Sequence, residues 1–179
     1  MQKGWTELHR AAYYGRVDDA KALLVQNADL SALNATGRTP LHCAADAGHA
    51  DMIRTLAALR ADLQARNQTG RTALHCAADG GHAAAILALA ELKCDLNSKN
   101  KTGNTALHLA VIKKHAGAVA ELLRVRADPA ITTRAGLTAQ KLAAVSGLAD
   151  TVKLFSAGAA AAAAAAAAAL PGGALTVRG

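Results

Sequence analysis

Large aromatic side chains are almost missing from this sequence: one Trp, two Tyr and one Phe, 2% of the chain. A globular core of ordinary thickness leans on such rings, because each buries a large apolar area. Their scarcity points instead to a thin core of Ala and Leu at close spacing. Cysteine is also scarce. Three residues form no disulfide framework, and the odd count points to a reducing, intracellular and cytoplasmic or nuclear setting. The continuous apolar stretch Ala159 to Leu170 is 12 residues of mostly Ala, short of the roughly 20 strongly apolar residues that a membrane span needs. Residues 2–16 are polar and lack the basic start and apolar run of a signal peptide. Acidic residues are the minority, so the net charge is 20 − 13 = +7. With 52% apolar residues, wholesale disorder is excluded.

What the sequence does have is a repeat. Gly4, Gly37, Gly70, Gly103 and Gly136 stand 33 residues apart without insertion. The same step relates Thr6, Thr39, Thr72, Thr105 and Thr138, and likewise Leu8, Leu41, Leu74 and Leu107. It also relates His9, His42, His75 and His108, and Asp29, Asp62, Asp95 and Asp128. Such a period is the mark of stacked units, each too small to bury its own apolar face.

Within a unit the local signals read helix, turn, helix, loop. Thr39 suits an N-cap, since its hydroxyl can accept from an orphan backbone N–H. Pro40 follows at the first helical position, where a missing N–H costs nothing. His42, three residues past the cap, can answer Thr39 as Glu or Gln would in a capping box. Leu41, Ala44 and Ala45 fall on one face, and Gly48 ends the helix. Met52, Ile53 and Leu56 form the stripe of a second helix.

The run Thr39-Pro40-Leu41-His42-Cys43-Ala44 and its near-copies at Thr72 and Thr105 resemble the ankyrin repeat. The first unit, Thr6 to Ala11, fits nearly as well; in the fifth, Thr138 to Ala143, the Leu-His pair is gone. The resemblance covers residues 1–156, in units 1–33, 34–66, 67–99, 100–132 and 133–156. It implies an all-α ankyrin-repeat solenoid of stacked helix-turn-helix units joined by hairpin-like loops. It also implies a monomeric, non-catalytic scaffold or adaptor for a protein partner, with no cofactor. Gln140, Lys141 and Lys153 give the last unit the polarity of a cap.

Two departures bear on regularity. The position after the second helix, often Gly in that family, holds Asn27, Arg60, Lys93 and Arg126. A left-handed backbone there costs a non-Gly residue roughly 1–2 kcal/mol. Lys114 replaces the Gly of Gly15, Gly48, Gly81 and Gly147, so the fourth unit is expected to be the least regular. Beyond Phe155 the pattern stops. Residues 157–179 form an Ala-rich tail with eleven consecutive Ala, read as a low-complexity expansion or, alternatively, a helical spacer.

Catalytic and metal sites are not expected. All seven His fall in two repeat columns, one from His9 to His108 and the other His49, His82 and His115. Equivalent residues of stacked helices lie about 8–10 Å apart, whereas zinc ligands converge to about 2 Å from one ion. Cys43 and Cys76 share a column for the same reason and are expected to be free thiols. No Ser has a nucleophile context, and no phosphate-binding Gly-rich loop occurs.

The resemblance places binding in a groove formed by loop tips and first-helix ends, where units differ. The candidates are Lys3, Trp5, Tyr13, Tyr14, Arg38, Asp46, Arg71, Asp79, Lys101, Asn104, Ile112 and Lys113. Trp5, Tyr13 and Tyr14 gather three of the four aromatic residues in the first unit. They are either a binding anchor, since Trp and Tyr dominate hot spots, or a cover for the edge of the first repeat. Arg38 with Asp46, and Arg71 with Asp79, suit local salt bridges. The charge favours an acidic protein surface as partner. Nucleic acid or another polyanion is the alternative; Arg66, Lys99 and Arg134 add to the basic tips, but no aromatic interleaving accompanies them.

Overall fold

The computed structural model describes residues 4–156. The elements run α1 (Glu7–Tyr13), α2 (Val17–Val25), α3 (Pro40–Asp46), α4 (Ala50–Ala58), α5 (Ala73–Asp79), α6 (Ala83–Glu91), α7 (Ala106–Ile112), α8 (Ala116–Arg124) and α9 (Ala139–Val145). Residues 149–156 are again helical. The odd-numbered helices pack side by side as one row, α1 to α9, and the even-numbered ones as a second row behind it. The result is an all-α repeat solenoid. Its core lies between the rows, with Leu8, Leu41, Leu74 and Leu107 from the first and Met52, Ile53, Leu56, Ile86, Leu89, Val119 and Leu122 from the second, all buried.

The expected caps are present. In each of the first four units the Thr N–H donates to the His Nδ1 three residues on, at 3.2–3.3 Å. The sequence pattern does not reveal the other ring nitrogen. Nε2 of His9, His42, His75 and His108 donates to the carbonyl of Arg38, Arg71, Asn104 and Leu137, 29 residues on, at 2.8–3.2 Å. A nitrogen that accepts from an N–H and another that donates to a carbonyl fix a neutral Nε2–H imidazole. One side chain thus caps its own helix and fastens it to the next unit.

The second His column fastens in the opposite direction. Nε2 of His49, His82 and His115 donates to the carbonyl of Tyr13, Asp46 and Asp79 in the preceding unit, at 2.9–3.0 Å. Each ring lies against the preceding unit's Gly. A Cβ on Gly15, Gly48 or Gly81 would sit 2.8, 2.6 or 2.7 Å from that ring. These glycines also hold positive φ, 68°, 81° and 76°, so both torsion and space require them.

Lys114 does not loosen the fourth unit. It takes the same left-handed backbone, φ 62°, and α7 and α8 keep the 7- and 9-residue lengths of their counterparts. The expected irregularity is corrected by one residue. The His column ends in Leu148 in the fifth unit, so no imidazole occupies the space that the Lys114 side chain needs. Asn27, Arg60, Lys93 and Arg126 are likewise left-handed, φ 62–73°, so these turns keep the family geometry despite the torsional cost.

The loops are built by two further columns. Asn34, Asn67 and Asn100 are buried. Each Oδ1 accepts from the N–H groups two and four residues on, at 2.9–3.0 Å, folding the tip around itself. Asp29, Asp62, Asp95 and Asp128 each accept from the N–H two residues later, at 2.8–2.9 Å, the turn that a short carboxylate makes with its own backbone. Neighbouring tips join where Gln68 N–H donates to Thr36 O at 3.2 Å and Lys101 N–H to Thr69 O at 3.0 Å.

Candidate binding face

The first-helix C-termini and the loop stems lie on one side of the first row. Tyr13, Asp46, Asp79, Ile112 and Val145 are equivalent last residues of α1, α3, α5, α7 and α9. Their placement is rigid for the first three, because His49, His82 and His115 hold the backbone carbonyls of Tyr13, Asp46 and Asp79. Residues that differ from unit to unit therefore stand on a frame of residues that do not.

In the first unit Trp5 and Tyr13 meet edge-on at 5.3 Å, and Tyr13 meets Tyr14 at 5.4 Å. Trp5 and Tyr13 also pack against the core, whereas Tyr14 is 60% exposed with the Arg16 guanidinium 5.7 Å above its ring. In the second and third units the two expected pairs form. Arg38 Nη1 reaches Asp46 Oδ2 at 2.9 Å and Arg71 Nη1 reaches Asp79 Oδ2 at 3.5 Å. Lys113 approaches the other oxygen of Asp79 at 3.7 Å. In the fourth unit Lys101 is exposed, and Asn104 donates from Nδ2 to Thr102 Oγ1 at 3.1 Å. Ile112 is half exposed there. Lys3 lies outside the described residues, as does the Ala-rich tail.

Val145 belongs to this face and was not among the residues singled out from the sequence. It is 80% exposed at the end of α9. Its place 33 residues beyond Ile112 marks it as an equivalent position, although the fifth unit lacks the Leu-His pair that fixes the register elsewhere. Two of the basic residues counted near the tips have other work. Arg66 Nη1 donates to Lys99 O at 2.7 Å, and Lys99 Nζ to Thr132 O at 2.7 Å. Both link one loop to the next.

The ionisable interior is held uncharged. Burial lowers the affinity of His9, His42, His75 and His108 for a proton, His75 to a pKa of about 4. Burial also pushes the thiols of Cys43, Cys76 and Cys94 up to about 12, and all three are unpaired. Such thiols are poor nucleophiles. Among the described residues no group of three His, Cys, Asp or Glu side chains is placed to hold a metal ion, and no helix is long and apolar enough to cross a membrane.

Compared with known proteins, the chain matches the family model for ankyrin repeats (3 copies) over residues 8–100 and 92–164. No curated protein matches it. Ankyrin repeats are in general protein–protein interaction modules and typically non-catalytic. With nearly the whole repeat region matched, and with the caps, paired helices and stacked loops in place, the chain belongs to the ankyrin repeat family.

Proposed function

We propose that this chain is a monomeric, non-catalytic scaffold that holds a protein partner across the groove formed by loop tips and first-helix ends. The observation that carries this reading is the contrast between columns. Buried columns repeat from unit to unit, while the last position of the first helix reads Tyr13, Asp46, Asp79, Ile112 and Val145 on the same rigid row. A rigid frame lowers the ordering cost of association. The net charge of +7 favours an acidic partner surface. Three unpaired thiols suit a reducing, intracellular compartment. Nucleic acid is the less favoured ligand, because Arg38 and Arg71 are paired with Asp46 and Asp79, and Arg66 and Lys99 are bonded to carbonyls.

Selection of displayed random peptides on the intact chain tests the reading. Peptides so obtained are expected to lose affinity when Tyr14, Lys101 and Ile112, exposed along the face, are together changed to Glu. They are expected to keep it when Lys21 and Lys93, on the second-helix side, are changed to Glu. Equal effects on both sides would overturn the assignment of the face. A gel shift with random oligonucleotides showing steep, salt-dependent binding below micromolar would reverse the order of ligands.

A further inference from the structure

The net charge is divided unevenly along the solenoid. Residues 100–156 carry eight Lys and Arg against three Asp and Glu, +5, whereas residues 1–99 carry eleven against ten, +1. The three acids of the fourth and fifth units are remote from the binding face. Glu121 is on α8, Asp128 follows it, and Asp150 lies in the helical segment after α9. On the face itself, the columns that hold Arg38 with Asp46 and Arg71 with Asp79 become Asn104 with Ile112 and Leu137 with Val145. The ion pairs of the middle units are thus replaced by uncharged side chains, three of the four apolar. Ile112 is 47% and Val145 80% exposed. Around them stand Lys101 and Arg134 at the tips and Lys113 beside Ile112, all exposed.

From this juxtaposition we propose, resting on the reading of the face as a partner-binding surface, that the fourth and fifth units form the principal docking site. The occupant is an acidic segment of a partner protein that carries two apolar side chains. Its carboxylates meet Lys101, Lys113 and Arg134, and its apolar residues cover Ile112 and Val145. Because α7 and α9 pack directly, Ile112 and Val145 are separated by one helix-packing distance, about 8–10 Å. A chain in the polyproline II conformation advances about 3.1 Å per residue with about three residues per turn, so two apolar residues three positions apart lie on one side of it at a matching spacing. Charge complementarity selects the occupant: the middle units are internally neutralised and offer an acidic chain little, while in the last two Lys101 and Arg134 are in no ion pair among the described residues and Lys113 shares only Asp79. The aromatic end, by contrast, buries most of Trp5 and Tyr13 in its own packing.

The test is selection of displayed random 12-residue peptides on the intact chain, followed by binding of the enriched peptides to variants. The expected pool is rich in Asp and Glu with two apolar residues three apart. Lys101→Glu with Arg134→Glu, and separately Ile112→Asp with Val145→Asp, weaken these peptides by about tenfold or more, while Tyr14→Ala leaves them unchanged. All five positions are solvent-facing, and circular dichroism of each variant verifies the fold. If the enriched peptides lack acid, or respond to Tyr14→Ala and not to the C-terminal variants, the site is misplaced while the partner-binding reading stands. If no peptide is enriched, or none responds to any variant on the face, that reading falls as well. Binding of a dT12 oligonucleotide that is lost in Lys101→Glu with Arg134→Glu, with no peptide enrichment, would assign the cations to nucleic acid and overturn the proposal.

Discussion

The imidazole of His82 occupies the space that a side chain on Gly48 would need. A Cβ there would lie 2.6 Å from His82 Nδ1, and the same ring donates from Nε2 to the carbonyl of Asp46 at 3.0 Å. Gly48 also holds φ 81°. Torsion and contact therefore act at one residue, and they can be separated.

Gly48→Ala meets both penalties. Gly147→Ala meets only the torsional one, since among the described residues nothing lies within 4 Å of its Cβ position at φ 69°. The torsional part is about 1–2 kcal/mol. The expected outcome is a loss near that value at Gly147 and about 1–3 kcal/mol more at Gly48, measured by urea unfolding. Equal losses would show that the ring moves aside at little cost.

Arg60 is left-handed at φ 73°, with no β-carbon-free residue to relieve it. Arg60→Gly removes the strain of about 1–2 kcal/mol and adds unfolded-state entropy of about 0.5–1 kcal/mol. The net expectation is stabilisation by about 0.5–1 kcal/mol, read as a higher midpoint in urea. Lys114→Gly is expected to behave alike. A destabilised variant would show that the cation at the helix end outweighs the torsion.

Acid should weaken the fold before the carboxylates titrate. His75 is held neutral in the folded chain down to about pH 4, from an ordinary 6.5. Between those values the unfolded chain binds a proton that the folded chain refuses, so stability falls as pH falls. His75 alone accounts for about 3 kcal/mol across that window, and His9, His42 and His108 act in the same direction. His75→Gln keeps a capping residue but cannot titrate. Its stability should depend less steeply on pH between 6.5 and 4, and an unchanged slope would remove His75 from the account.

The thiols give a kinetic readout. Cys43 and Cys76 are 0% and 1% exposed, with pKa values near 12. At pH 8 a disulfide reagent should react at the rate at which the units open, slowing with added osmolyte and rising in mild urea. Immediate reaction with the native chain would mean that the first helices are not packed as described.

The period of 33 residues made the units, the paired helices and the caps legible, because Thr39, Pro40, Gly48 and the Leu41 face are local signals. Relations between units are not local and leave no such signal. The local pattern shows one role for His42, in its own cap, yet its second nitrogen bonds Arg71 O in the next unit. Asn34, Asn67 and Asn100 recur at the same step but fall in a stretch read as loop, where their buried role is invisible without the fold. Lys114 looked like a defect when read alone. Read with Leu148, which stands where earlier units have His49, His82 and His115, it is the expected partner change. Among the candidate face residues, the pairing of Arg38 with Asp46 is legible in the sequence and forms, whereas Val145 comes into view with the structure, at the end of α9.

The same substitution of Leu148 for histidine sets the order in which the stack comes apart. Each seam from the first unit to the fourth carries two imidazole stitches, one running forward and one back. Between the fourth and fifth units only the forward stitch, His108 to Leu137 O, is present. Fraying should start there, and the amides of α9 should exchange with deuterium well before those of α5.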